Sequence, residues 1–586
     1  MGQSIGTRIE VRGTLTCLGP VHVGGWDTTA LADLSIARDG TDRPFLPGAS
    51  IAGALRAYLA GIDRFGGDRL RGDRLRGDRL RGDGQAAPLD ALFGHVEQHS
   101  HSGSPSWIRI DDASLIGEQV TPAVRDGVGI DRRSASAAAA YLYTREVLPA
   151  GTTFALRLVA DTPTASPEPG YPGGWPALVH DAVETIIAGL CHGRVPIGAG
   201  RGRGHGRVEL RDVTVRRGDL SEPAGLVAWL TGAVEPTRPL VADLPPQDGR
   251  LQITIAWRPI TPVLVRDSLS GTVVDTLPLT STDADGTVRL LLPGSSIRGV
   301  VRAHAERIVR TLRQQDAPDH ADGDGFGETL RRPPTGVDVL FGAAPTGPRQ
   351  GRPDDATDAA TDVAASQETT GWRGALTVAD CHSLGQVSAQ TWNGVVTVSP
   401  ESRATTDRTA PSVEPRQQRA DRNSDRDQAR ARLYGMLGDI SSEMALDVSD
   451  HVAIDRWTGG ASDHRLFSVL EPRPTVRWEP IRIEVDVARL ARLAGSDPRH
   501  ESAAAALPLL LLVLRDLRDG WLALGYGSTR GRGQIEVTEV TFEGAGLTGA
   551  WQSLADRTLD TILADPPTDI VDAMATWENL FQEAAA

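Results

Sequence analysis

Apolar and polar residues alternate from Ile9 to Thr16, which predicts a strand. Pro47-Gly48 then reads as a turn, with Ser50 as N-cap of a helix over Ile51–Leu59. Trp107–Ile110 and Phe154–Val159 read as strands, and Ala177–Leu190 as a helix with an apolar face. A glycine-rich loop and the strand Arg207–Val215 follow. The same order then returns. Leu251–Trp257 reads as a strand and Ser296–Leu312 as a helix. Leu507–Leu524 reads as a helix that tolerates Pro508 in its first turn, before another glycine-rich loop and strand.

Four blocks recur in register. Phe45-Leu46-Pro47-Gly48-Ala49-Ser50-Ile51-Ala52-Gly53-Ala54-Leu55-Arg56 returns as Leu291-Leu292-Pro293-Gly294-Ser295-Ser296-Ile297-Arg298-Gly299-Val300-Val301-Arg302. Leu92-Phe93-Gly94 returns as Leu340-Phe341-Gly342, and Ile130-Asp131-Arg132 as Ile454-Asp455-Arg456. Gly204-His205-Gly206-Arg207-Val208 returns as Gly531-Arg532-Gly533-Gln534-Ile535. The offset rises from 248 at the Phe-Gly block to 324 at the Asp-Arg block, so the second copy carries 76 extra residues between them.

The chain therefore divides into a module over 1–217, a Pro-rich linker over 218–249 and a module over 250–545. A polar insertion at about 343–450 reads as loosely structured, and 546–586 is an acidic tail with helical pattern. Strands and helices mixed at this density suggest α+β modules with antiparallel sheets, ferredoxin-like (RRM-like) in outline.

Composition narrows the function classes. There is no lysine, so all 61 Lys-plus-Arg positions are arginine, the side chain suited to phosphate forks and base stacking. A net charge of −15 argues against indiscriminate polyanion binding but leaves room for a local basic groove. Cys17, Cys191 and Cys381 lie far apart without a CxxC pair, which disfavours disulfides and cysteine zinc sites and suits a reducing cytoplasm. Ala503–Leu514 is too short an apolar run to span a bilayer. The Gly-Asp-Arg-Leu-Arg repeats of Gly67–Gly84 read as a solvated loop, and so do His95, His99 and His101 with Glu97, whose order is not that of a zinc helix.

The basic motifs point to nucleic acid. Gly198-Ala199-Gly200-Arg201-Gly202-Arg203-Gly204-His205-Gly206-Arg207 is the most basic tight segment, and Gly525–Gly533 repeats it with Tyr526, Arg530 and Arg532. Glycine lets the backbone approach a phosphodiester and arginine supplies charge, although a plain glycine hinge has the same pattern. The helix starts at Ser50 and Ser296 present free N–H groups that suit a phosphate, with Arg56, Arg298 and Arg302 within two turns. His22 precedes Gly24-Gly25 and either approaches RNA or packs. Tyr141, Tyr143 and Trp457 suit base wedges or core packing.

Together these blocks resemble the repeat-associated (RAMP) superfamily of CRISPR proteins, most closely the backbone subunits of type III effector complexes. The Pro-Gly-[Ala/Ser]-Ser-Ile-x-Gly-x-x-Arg blocks carry most of the likeness, with Glu146-Val147-Leu148-Pro149 beside them; the second copy keeps only Glu471-Pro472. The resemblance implies a ferredoxin-like core in each module and a thumb hairpin that inserts into a guide–target duplex. It implies guide RNA running along the helix starts and basic loops, with Arg132 and Arg456 of the Asp-Arg segments among the contacts.

The family cuts target RNA with a loop aspartate, which falls on Asp33 here, 14 residues before Pro47, and on Asp275, 18 before Pro293. An isolated loop aspartate is otherwise an N-cap or Asx turn. A divalent metal, Mg or Mn, is the implied cofactor, with no organic one. Implied partners are CRISPR guide RNA, complementary target RNA and other type III subunits, with no membrane. A non-catalytic scaffold, or a CRISPR RNA-processing endoribonuclease, remains the alternative; no histidine recurs in both halves to support the latter.

Overall fold

A computed structural model describes residues 4–25, 32–62, 65, 88–96, 103–118, 120–164, 171–239, 241, 249–268, 270–271, 273–318, 325–346, 371–398, 416–438, 440, 444–496 and 499–582. The Gly67–Gly84 repeats, His99 and His101 lie outside the described residues. The chain is mixed α/β with antiparallel sheets and groups into two units. The first comprises 1–126, 143–245 and 281–288, the second 127–142, 246–280 and 289–586.

In the first unit the strand Ile5–Cys17 is central. It pairs antiparallel with Val208–Asp219 on one side and Thr153–Pro163 on the other. Ile108–Ile110 and Ala113–Leu115 continue the sheet beyond Thr153–Pro163. The helix Gly48–Leu59 falls between the first strand and these short ones, and Gly174–Cys191 between Thr153–Pro163 and Val208–Asp219. The spatial order last–first–third–second is thus that of a split βαβ arrangement. Leu178, Val179, Ala182, Val183, Ile186, Ile187 and Leu190 repeat at helical spacing and bury one face of Gly174–Cys191 in the same core as Val11, Leu15 and Phe154.

The second unit has the same strand order. Arg250–Pro259 is flanked antiparallel by Ile535–Ala545 and Ile481–Asp486, and Leu376–Val378 pairs with the latter. The helices Gly294–Leu312 and His500–Arg518 occupy the corresponding places in chain order. A two-stranded hairpin stands outside the main sheet in each half of the chain, Ala123–Ile130 with Ala137–Val147, and Leu446–Ile454 with Ala461–Pro472.

The repeated Pro-Gly block has a steric cause. A Cβ on Gly48 would lie 2.3 Å from the Ile110 carbonyl oxygen, and one on Gly294 2.3 Å from that of Val378. The Gly48 N–H donates to Asp112 Oδ1 at 2.7 Å and the Gly294 N–H to Asp380 Oδ1 at 2.8 Å. Each helix start is thus pinned under the neighbouring strand end by a carboxylate from outside the helix. The N-cap positions are Pro47 and Pro293, not Ser50 and Ser296, which sit in the first turn with their N–H groups donating to the proline carbonyls at 2.9 Å. The first amide of each helix already meets an anion, which removes the simplest phosphate contact expected there.

Other expectations shift too. The late helix begins at His500 and ends at Arg518, so Pro508 lies in its interior. Unbroken burial from Ala505 to Leu511 outweighs the lost hydrogen bond. The polar stretch 343–450 supplies the strand Leu376–Val378 and the helices Ala389–Thr397 and Arg416–Gly438. The linker region holds the end of Val208–Asp219 and a helix, Pro223–Leu230. The tail forms helices Leu559–Ala564 and Thr568–Gln582.

Candidate functional site

Each glycine-rich loop is a fixed shape. Gly198, Gly200, Gly204 and Gly206 have φ of +86°, +79°, +81° and +89°, around a single 3₁₀ turn at Arg201–Arg203. Gly525, Gly527, Gly531 and Gly533 follow at +83°, +76°, +78° and +76°, around Ser528–Arg530. The first glycine has no room for a side chain, since a Cβ would lie 2.2 Å from the His22 carbonyl oxygen, or 2.1 Å from that of Leu264. Ala199 and Tyr526 N–H groups donate to these same carbonyls at 2.8 and 2.7 Å. Positive φ and close backbone approach both demand glycine, so the loop is held against the segment that leaves the first strand.

The two aspartates are held alike. Asp33 Oδ2 accepts from Thr144 N–H at 2.8 Å and from Thr144 Oγ1 at 3.0 Å, while the Asp33 N–H donates to Thr144 Oγ1 at 2.9 Å. Asp275 Oδ2 accepts from Ser468 N–H at 2.7 Å and Ser468 Oγ at 3.0 Å, and the Asp275 N–H donates to Ser468 Oγ at 3.2 Å. The next residue in each case makes a parallel bridge to the hairpin, Leu34 to Arg145 and Thr276 to Val469. Thr144 follows Asp131 by 13 residues and Ser468 follows Asp455 by 13. The hydrogen bonds from Thr144 hold the exposed Asp33 carboxyl below its ordinary range.

The Asp-Arg segments are the hairpin turns. Asp131 Oδ1 accepts from Ser134 N–H at 2.7 Å and Asp455 Oδ1 from Thr458 N–H at 2.7 Å, an Asx turn in both. Arg456 is exposed at this tip beside Trp457, which is 95% exposed.

The expected RNA-contacting side chains fall into two sets. Arg203 bonds Tyr143 Oη and Arg530 lies over Phe467, 5.9 Å from its centroid; Arg207 is exposed. Arg201 donates to the Gly198 carbonyl at 3.0 Å. The second set is engaged inside the protein. Arg56 pairs with Asp90 at 2.5 Å, Arg298 donates to the Phe341 carbonyl at 2.7 Å, and Arg532 pairs with buried Glu471. Arg302 and Arg132 both reach Glu306, at 2.7 and 2.8 Å, within the second unit. His22 is buried, its Nδ1 bonded to the Glu146 carbonyl at 2.7 Å, and burial lowers its pKa towards the neutral form.

Sequence reasoning missed Thr144 and Ser468, although both lie at the 324 offset of the Asp-Arg blocks; Phe467 matches Tyr143 at the same offset. Neither aspartate belongs to a group of three or more potential metal ligands among the described residues, so the set does not fit a resident metal held by side chains alone. Also among the described residues, no helix is long and apolar enough to cross a membrane. A family model described as the RAMP superfamily matches residues 14–209 and 258–536. No curated protein matches the sequence.

Proposed function

The chain belongs to the RAMP superfamily, and from that membership we propose that it is a fused pair of ferredoxin-like backbone modules of a type III CRISPR ribonucleoprotein, with the hairpins as thumbs. It binds guide RNA and cuts complementary RNA once at each module. Other type III subunits complete the assembly. The observation that carries this reading is the twin placement of Asp33 on Thr144 and Asp275 on Ser468, each beside an arginine–aromatic pair and a rigid glycine loop.

RNA supplies its own nucleophile. With the backbone kinked at a hairpin, the 2′-oxygen bonds to phosphorus as the P–O5′ bond breaks. The 2′-hydroxyl proton passes to the aspartate carboxylate, and the departing 5′-oxygen takes a proton from water. The products are a cyclic phosphate and a 5′-hydroxyl. Because Asp33 is held below its ordinary pKa it is a weak base, so its larger contribution is to orient the hydroxyl.

One observation favours a non-catalytic scaffold instead. Oδ2 of each aspartate already takes two hydrogen bonds from the hairpin, as a structural staple would. Asp33→Asn separates the two readings, because its amide oxygen still accepts from Thr144 while the charge is gone. Cleavage of labelled target RNA by the guide-loaded complex should lose one product in Asp33→Asn and the other in Asp275→Asn. Unchanged cleavage in both, with the complex intact, refutes the catalytic reading and leaves the staple.

A further inference from the structure

The repeat makes the two candidate sites comparable residue by residue, and they differ in charge. In the first unit Tyr143 and Arg145 flank Thr144 and share one face of their strand. Arg145 lies with its guanidinium carbon 5.6 Å from the Tyr143 ring centroid, and Arg203 with its own at 6.0 Å. Arg203 also donates to Tyr143 Oη. Two guanidiniums thus converge on one phenol, and among the described residues neither has a carboxylate within ion-pairing distance. Arg145 Nε is buried without a hydrogen-bond partner. Burial pushes the Arg145 pKa down, Tyr143 opposes it, and the charge of Arg203 adds to the lowering. Gly200 borders the group: a Cβ there would lie 3.2 Å from Arg145 Nη1 and 2.8 Å from His205 Nδ1.

The second unit balances the same positions. Phe467 stands for Tyr143, and fully buried Val469 for Arg145. Arg530 stands for Arg203, and Arg532 for His205. Arg532 donates to Glu471 Oε2 at 2.7 Å and sits 2.7 Å from His451 Nε2, so its charge is met inside the protein. Among the described residues no equivalent acid lies within ion-pairing distance of Arg145.

We propose that Tyr143, Arg145 and Arg203 form a binding site for a phosphate group in the first unit, with no counterpart in the second. Two uncompensated guanidiniums and a phenol offer several N–H and O–H donors and no acceptor charge, the chemistry a tetrahedral oxyanion completes. Thr144, between two of these residues, holds Asp33, so an RNA phosphodiester here lies beside the candidate cutting residue. That choice of occupant rests on the function proposed above; the phosphate site itself does not.

The test uses the full chain without guide or target. Thermal unfolding is followed in sodium phosphate against sodium chloride at equal ionic strength. Phosphate should raise the wild-type midpoint and that of Arg211→Gln, an exposed arginine paired with Glu209, by more than that of Arg145→Gln, which keeps only the general stabilisation phosphate gives a folded chain. Without phosphate, Arg145→Gln should melt at or above the wild type, since it removes an uncompensated, half-buried charge. A second arm measures binding of a 12-nucleotide single-stranded RNA against salt. A slope reduced by about one in Arg145→Gln identifies an RNA phosphodiester as occupant. An unchanged slope, with the phosphate response reduced, identifies a free phosphate. No phosphate response in the wild type, or an equal response in Arg145→Gln, overturns the site.

Discussion

Arg302 is matched with Arg56 by the sequence repeat and suits RNA, but its surroundings give it a different task. Glu306 is 1% exposed and accepts from Arg302 Nε at 2.7 Å and Arg132 Nε at 2.8 Å. Replacing Glu306 by leucine strands the buried Arg302 charge. Breaking a buried pair from one side costs about 3–5 kcal/mol. With a urea m-value of about 3 kcal/mol per M, the midpoint should fall by roughly 1–1.7 M. The double variant Arg302→Met/Glu306→Leu removes both charges, and Arg132 keeps the Ile130 carbonyl as partner at 2.5 Å. It should recover part of the loss, since an apolar pair of similar volume is often neutral, while Arg132, its side chain 12% exposed, still lacks its carboxylate. Tryptophan fluorescence in urea follows the transition, and anisotropy with a labelled RNA follows binding. RNA affinity should be unchanged in the double variant. A midpoint unmoved by Glu306→Leu, or RNA affinity lost in Arg302→Met without lost stability, refutes the reasoning.

Three further outcomes are expected. Gly198→Ala and Gly525→Ala each force a Cβ to within 2.2 Å of a backbone oxygen at positive φ, and should each destabilise by at least about 2 kcal/mol in urea unfolding. Trp457→Ala should change stability by less than about 0.5 kcal/mol, because the side chain is 95% exposed, while weakening RNA binding in the anisotropy assay. The Asp33 carboxyl is held below its usual value of 3.8, so its contribution to stability is fully present above that pH and is lost only as pH falls through the lower folded value. The hydrogen-exchange protection factor of the Thr144 amide should therefore stay high at pH 5 and fall only in stronger acid.

Much of the fold is legible in the order of residues. Alternation gives Ile5–Cys17 and Arg250–Pro259, and helical spacing gives Gly174–Cys191. The paired hairpins are not legible by periodicity. Their strands, Ala137–Val147 for example, have exposed residues on both faces and little apolar alternation. Leu376–Val378 is too short to stand out within the polar stretch 343–450, and only its pairing with Ile481–Asp486 makes it a strand.

The sequence by itself determined the twofold recurrence, the aspartate positions and the glycines of both basic loops. Repetition and backbone conformation are local properties that composition displays directly. Tertiary structure alone decided which arginines have their charge met inside the protein, because that depends on whether a carboxylate distant along the chain arrives beside them. Asp90 reaches Arg56, Glu306 reaches Arg132 and Glu471 reaches Arg532, while none reaches Arg145 or Arg203 among the described residues. Thr144 and Ser468 gain their meaning in the same way, as strand residues that chain folding sets against an aspartate more than 100 positions earlier.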